Sequence, residues 1–355
     1  MATPGTRRRD LLHPQRMAAV AAAALPRVPA EIEAVPDELI RAGRPAMACQ
    51  FEIFLSTRDR VRIMTVHRAL DLIQELEGRM TVFRDDSEIS RLNRRAFEGP
   101  VTVESGLLEL LSLGRRISSE TGGAFDMTAG PLWKVWGFSR RRGTLPDPEA
   151  VEKARSQVGY RFLELDAPAG TVRFRRRGLE LNLGAIGKGY ALDRAGRLLQ
   201  QEGMGRALLH AGYSSILALG EGPGKEPSPG WKVSIRDPLG RTGPLATVQL
   251  RNRALSTSGV GEQFFRVGNR RYGHVLDPRT GHPVDKNLAA TALAPTAAEA
   301  DALSTAFLVM DLDDILSYCR RRRGIGAVVV AADPRDGAVQ VHHWGLDADH
   351  LEVFR

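Results

Sequence analysis

The spacing of apolar residues changes period several times along this chain, and the changes mark its elements. Gln50 to Leu55 is an apolar-rich run of strand length. Ile63, Val66, Leu70 and Ile73 then recur at the three-and-four spacing that lines one helix face, and Leu107 to Ile117 repeats that spacing. Tyr160 to Leu165 and Thr171 to Leu183 read as strands joined by the Pro168-Ala-Gly turn, and Lys188 to Glu202 as a helix. Further strands are expected over Leu208 to Leu219, Trp231 to Arg236, Thr247 to Arg251 and Ala327 to Ala331, with a helix over Glu299 to Leu316. The glycine- and proline-rich Gly220 to Gly230 stretch reads as a surface loop, and no internal repeat is visible. Helices and strands interleave, yet hairpin-like strand pairs are frequent. That mixture favours an α+β fold over a doubly wound sheet.

Composition sets bounds on this picture. With 355 residues and 43% hydrophobic content, the chain can bury one large core or two smaller ones. The formal charge of +8 comes largely from arginine clusters at Arg7 to Arg9, Arg140 to Arg142, Arg175 to Arg177 and Arg320 to Arg323. These clusters are scattered, with few aromatics between them, so they read as solvated faces and no nucleic-acid partner is expected. Cys49 and Cys319 have no CxxC spacing, which indicates neither a zinc site nor a disulfide framework. Residues 1–45 form a basic leader. Thr6-Arg-Arg-Arg-Asp-Leu-Leu12 followed by the alanine-rich run Met17 to Leu25 has the layout of a twin-arginine export signal, which would place the protein on the periplasmic side of an inner membrane. A basic arm on a cytoplasmic protein fits the same residues. No run reaches the ~18 apolar residues of a spanning helix, so membrane contact is expected to be peripheral if there is any.

Four segments carry chemical potential. Asn182-Leu-Gly-Ala-Ile-Gly-Lys-Gly-Tyr-Ala-Leu-Asp193 sets three glycines and a lysine at a strand-to-helix turn. Glycines 184, 187 and 189 would allow positive φ and close approach to a ligand, and the N–H groups at the helix start would face an anion beside the Lys188 ammonium. The spacing is not that of a Walker A loop. Thr121-Gly-Gly-Ala-Phe-Asp-Met presents Asp126 on a turn, although Gly122 and Gly123 would equally end a helix. Arg271-Tyr-Gly-His-Val-Leu-Asp-Pro-Arg-Thr-Gly-His sets His274 close to Asp277, Arg279 and Thr280. Asp301 and Thr305 are four apart on an expected helix, so their oxygens share one face and suit a hard cation, while the same pair also fits a helix-dipole aspartate and a threonine bonded back to its helix.

In order, a strand near Met47, the run Asp86-Ser-Glu-Ile-Ser-Arg-Leu-Asn93, the Gly-Ala-Phe-Asp turn, the Gly-Lys-Gly segment, the Ser256-Thr-Ser-Gly259 turn, His274-Val-Leu-Asp-Pro-Arg-Thr-Gly281 and the Ala300-Asp301 to Thr305 helix closely resemble the ApbE family. That resemblance runs from about Met47 to about Ala331. It implies a single large domain over residues 46–355, of mixed and mostly antiparallel sheets packed with helices, related to the T-fold. It also implies a magnesium-dependent FAD:protein FMN transferase, which splits FAD at its pyrophosphate, passes FMN to a Ser or Thr hydroxyl and releases AMP. The acceptor would be a flavoprotein subunit of an electron-transfer or sodium-pumping complex. By position, Met47, Phe83, Ala124, Phe125, Asp126, Asn182, Lys188 and His274 would line the FAD. The Ala185 carbonyl, Asp301 and Thr305 would hold Mg²⁺, and His274 and Lys188 would serve catalysis. An FAD pyrophosphatase giving AMP and FMN, or a flavin-binding or assembly protein without turnover, are the alternatives.

Three positions depart from the family pattern. Asn182 stands where aspartate is usual, Gly212-Tyr-Ser-Ser215 stands where Gly-Gly-Asp or Gly-Gly-Asn is usual, and Val260-Gly261-Glu262 follows the Thr-Ser-Gly turn. The second would force a bulky ring into a tight backbone position.

Overall fold

A computed structural model describes residues 39–140, 143, 145–223, 228–261, 264–268, 270–332, 338–346 and 351–354. The leader motifs expected within residues 1–38 lie outside them. The first half of the chain gives β1 (Leu39–Ala46), β2 (Cys49–Ser56), α1 (Ile63–Met80), α2 (Glu88–Arg95), β3 (Val101–Thr102), α3 (Ser105–Glu120), α4 (Gly130–Val135), α5 (Pro148–Arg155), β4 (Leu163–Asp166) and β5 (Thr171–Phe174). The second half gives α6 (Gly187–Gln201), β6 (Ala207–Ala211), β7 (Ser215–Leu219), β8 (Trp231–Arg236), β9 (Pro244–Leu250), β10 (Arg253–Gly259), β11 (Phe264–Val267), β12 (Arg270–Gly273), β13 (Asn287–Ala294), α7 (Ala297–Val309), α8 (Leu312–Arg321), β14 (Gly326–Ala332), β15 (Val339–Trp344) and β16 (Leu351–Val353).

Eight strands form the central sheet in the order β1-β2-β6-β7-β10-β13-β14-β15, and each neighbouring pair is antiparallel. Strand alternation sorts its side chains into two cores. Phe51, Ile53, Leu209, Leu217, Ala290 and Ala292 face α1, α3, α6 and α7, while Phe54, Leu208, Ile216, Leu255 and Leu293 face the small β16-β9-β8 sheet with its buried Trp231, Val233 and Val248. Helices on one face and a second sheet on the other make the α+β architecture that the sequence predicts. Helix α7 has nearly every residue buried, as its all-round apolar sequence requires. Among the described residues no helix is long and apolar enough to cross a membrane.

Several expected elements change at their ends. Strand β1 begins at Leu39, ahead of the domain boundary expected at residue 46. Leu208 to Leu219 is a hairpin, because Gly212 and Tyr213 take left-handed φ values of 57° and 62° and turn the chain between β6 and β7. The bulky ring does occupy a tight turn, and it is accommodated by stacking on His210 with centroids 4.5 Å apart. Thr171 to Leu183 is strand only as far as Phe174. Ser256 to Gly259 is no turn but the end of β10, paired with β13. The expected Glu299 to Leu316 helix is two helices. Asn287 donates its side-chain amide to the carbonyls of Phe307, Leu308 and Met310 at 3.0, 3.3 and 3.0 Å, which ends α7 without glycine or proline.

Candidate functional site

The glycine-lysine segment is anchored before it turns. Leu179, Leu181 and Leu183 are buried in the main core, so the chain between them cannot slide. Leu181 donates its N–H to Asn93 Oδ1 at 2.8 Å and accepts Asn93 Nδ2 at 3.0 Å, a two-point clamp from α2. Ser87 in turn caps α2 by accepting the Ser90 N–H at 3.0 Å. On the other side Asn182 donates its N–H to the Met127 carbonyl at 2.8 Å, and Gly130 donates to Glu180 O at 3.2 Å. The Asp86 to Asn93 run thus holds Leu181, and the segment just after the Gly-Ala-Phe-Asp turn holds its neighbours Glu180 and Asn182.

The glycines work differently from the anion cradle expected of them. None of Gly184, Gly187 and Gly189 has positive φ. Their N–H groups are taken within the protein: Gly184 by Asn182 Oδ1 at 2.9 Å, Gly187 by Leu183 O at 2.7 Å and Gly189 by Asp301 Oδ2 at 3.1 Å. A β-carbon at Gly189 would run into the carbonyl of Ala297, so glycine is required there for close contact between α6 and α7. Asn182 shapes the turn as an Asx residue.

Asp301 is where the distant segments meet. It is 3% exposed. Its Oδ1 accepts the hydroxyls of Ser215 at 2.9 Å and Ser256 at 3.0 Å, and the Lys188 ammonium stands 3.5 Å away. One turn on, Thr305 Oγ1 lies 3.4 Å from the Asp301 carbonyl and 3.3 Å from Ser258 Oγ. Ser304 and Ser258 share a further hydroxyl contact at 2.9 Å. Lys188, Asp301 and Thr305 are therefore brought together, from α6 and α7, against the ends of β7 and β10. Ser215, Ser256 and Ser258 lie in segments the family resemblance marked, but no sequence feature assigned these serines a role, since a serine on a strand has no periodic signature. Ala185 sits half-buried on the turn two residues before α6.

The other expected site residues occupy several places. Met47 forms the β1–β2 turn with φ 48°, and its N–H donates to Glu77 Oε1 at 2.7 Å. Phe83 is 70% exposed after α1 and meets Trp133 edge-on at 6.0 Å. Ala124 and Phe125 have side chains inside the core, so a ligand there would meet their backbone. Asp126 points inward: Oδ1 accepts the N–H and hydroxyl of Thr128, and Oδ2 the N–H of Tyr160 at 2.8 Å. Burial pushes its carboxyl above the ordinary range despite those bonds. His274 is half-buried directly after β12, next to the core residue Val275. Five residues after His274, Arg279 packs near Gly123, which ties the histidine segment to the Gly-Ala-Phe-Asp turn.

The donor set suits a hard divalent cation. Among the described residues no three His, Cys, Asp or Glu side chains form a metal cluster. Around Asp301 stand its own buried carboxylate and the hydroxyl oxygens of Ser215, Ser256, Ser258 and Thr305, oxygen donors of the kind Mg²⁺ accepts when substrate phosphates complete its shell.

Comparison with known proteins agrees with this geometry. The ApbE family model matches residues 47–329. A Treponema pallidum protein named FAD:protein FMN transferase is 34% identical over 307 residues, 80% of this chain and 84% of that one. An Escherichia coli K12 protein of the same name is 30% identical over 248 residues, 68% of this chain and 70% of that one. A solved ApbE protein of Thermotoga maritima aligns with TM-score 0.76 at 26% identity, over 85% of this chain and 96% of that one. The apo flavinyl transferase ApbE of Pseudomonas stutzeri aligns with TM-score 0.74 at 26% identity, over 88% and 96%. The match spans the α2 clamp, the glycine-lysine turn and the α7 carboxylate alike, and the chain belongs to the ApbE family.

Proposed function

We propose that this chain transfers the FMN part of FAD to a serine or threonine hydroxyl of a target protein and releases AMP, in an Mg²⁺-dependent reaction. One observation carries the reading: a buried carboxylate, Asp301 on α7, has hydroxyl groups around it and stands 3.5 Å from the ammonium of Lys188, on the helix α6 whose preceding glycine turn is clamped on both sides. The Ala185 carbonyl, the Asp301 carboxylate and the Thr305 hydroxyl would hold the cation. When bound, Mg²⁺ neutralises charge on the pyrophosphate oxygens.

The remaining work falls to side chains. Lys188, partly exposed, reaches the phosphate on which negative charge gathers. The acceptor hydroxyl oxygen bonds to the FMN phosphorus, the anhydride P–O bond breaks with its electron pair, and AMP departs. The hydroxyl proton passes to a ring nitrogen of His274. Met47, Phe83, Asn182 and the backbone of Ala124 to Asp126 line the FAD, with the Phe83 and Trp133 rings offering an apolar face to the isoalloxazine. The acceptor is a flavoprotein subunit of an electron-transfer or sodium-pumping complex.

Incubation with FAD, Mg²⁺ and a peptide carrying an acceptor threonine tests this. Covalent flavin on the peptide, with AMP in equal amount, is expected, and Asp301→Ala abolishes both. AMP without adduct would assign an FAD pyrophosphatase, and intact FAD retained on the protein would assign a carrier.

A further inference from the structure

Helices α6 and α7 carry the two halves of the site. Lys188 and Gly189 lie on the first turn of α6; Asp301 and Thr305 lie on α7. Four residues after Gly189, and so on the same face of α6, comes Asp193. Its Oδ1 accepts the N–H of Ala297 at 2.7 Å and its Oδ2 the N–H of Ala298 at 2.9 Å. A single carboxylate from one helix thereby caps the first turn of the other, with both oxygens engaged. Gly189, one turn earlier, touches the same Ala297 backbone closely enough to exclude any β-carbon and donates its N–H to Asp301 Oδ2 at 3.1 Å.

We infer that Asp193 is a positioning residue for flavin transfer: by clasping the first two N–H groups of α7 it fixes the register of α6 against α7, and so the placement of Lys188 and Gly189 relative to Asp301 and Thr305. This rests on the transfer reaction proposed above. The clasp differs from an ordinary cap because the donor helix and the capping residue carry different halves of one site. Thr296, the residue just before α7, supplies the ordinary cap: its hydroxyl accepts the Glu299 N–H at 3.3 Å, a bond within the same helix end. Nearby charges do not duplicate the clasp. Arg197 on α6 acts on the Asp193 carboxylate through space, as does Asp301 with opposite sign.

The two caps make a matched test. Asp193→Asn keeps the side chain's size but presents an NH₂ to one of two N–H donors, so one bond is lost; Thr296→Ala removes a cap from the same helix end. Both variants and the wild type are compared by thermal unfolding, by steady-state transfer kinetics and by hydrogen exchange of the Gly189 amide. Both substitutions are expected to lower Tm. Only Asp193→Asn is expected to lower kcat, by about ten- to a hundred-fold, with the KM for FAD within about two-fold, and to speed exchange at Gly189. Unchanged kcat and Gly189 protection in Asp193→Asn, or the same losses in Thr296→Ala, would overturn the inference. A wild-type protein without transfer activity would refute the function, and the Gly189 amide would still decide whether Asp193 holds the register.

Discussion

Asn182 replaces the aspartate usual at its position, yet its side-chain oxygen makes the one bond the turn needs, accepting the Gly184 N–H at 2.9 Å. A carboxylate oxygen at that position can accept the same bond. Asn182→Asp is therefore expected to change unfolding free energy by less than about 0.5 kcal/mol in urea titration, whereas a loss well above that would mean the amide NH₂ has a partner of its own. Asp193 behaves less neutrally. Burial pushes its carboxyl up to about 6, against two backbone N–H bonds that favour the charged form. Between its ordinary value of 3.8 and about 6 the folded state binds the proton more tightly than the unfolded chain, so stability from this group is greatest below that window and falls as pH rises through it. Compared with Asp193→Asn, the wild type should lose roughly 1–3 kcal/mol between pH 4 and 7; a pH-independent difference between the two would contradict this. Residue by residue, the sequence exposed what chemistry names. Lys188, Asp301 and Thr305 stand out by type and spacing, while Ser215 and Ser256, present in marked segments, gain a role only when antiparallel pairing of β7 with β10 sets them side by side at 3.3 Å.

At the level of elements, local pattern located helices and strands well and their ends poorly, because the ends are set by distant residues. Asn287 stops α7 from a strand ten residues earlier, and Asn93 straightens the segment before α6 from a helix far upstream. Asn287→Ala should leave three carbonyls without their donor and reduce stability by about 1–3 kcal/mol in chemical denaturation, and a neutral result would show that water or a neighbouring donor replaces the amide. The glycine-lysine turn was recognised for the wrong physical reason. None of its glycines is left-handed, and Gly189 is there for close contact between helices. Gly189→Ala is accordingly expected to destabilise the fold by about 1–3 kcal/mol through overpacking against Ala297 and to reduce flavin transfer, as read by denaturation and by AMP release. Full activity and stability in that variant would mean the helices can part without consequence.

Across the whole molecule, the antiparallel central sheet separates two cores, and the site lies on its helical face, where α6 and α7 meet the ends of β7 and β10. Segments more than a hundred residues apart, Gly189 and Asp301 among them, depend on that layering to meet. The α+β class was legible from interleaved helices and hairpins; strand order, which decides what meets at Asp301, was not, because pairing across the sheet leaves no mark in local periodicity. The most direct measurement is a titration with Mn²⁺ as a spectroscopic substitute for Mg²⁺, followed by electron paramagnetic resonance with and without FAD, in the wild type and in Asp301→Asn. One tight site that strengthens with FAD in the wild type and is lost in Asp301→Asn is the predicted result; equal Mn²⁺ binding by a folded Asp301→Asn protein would contradict a metal-dependent site centred on this carboxylate.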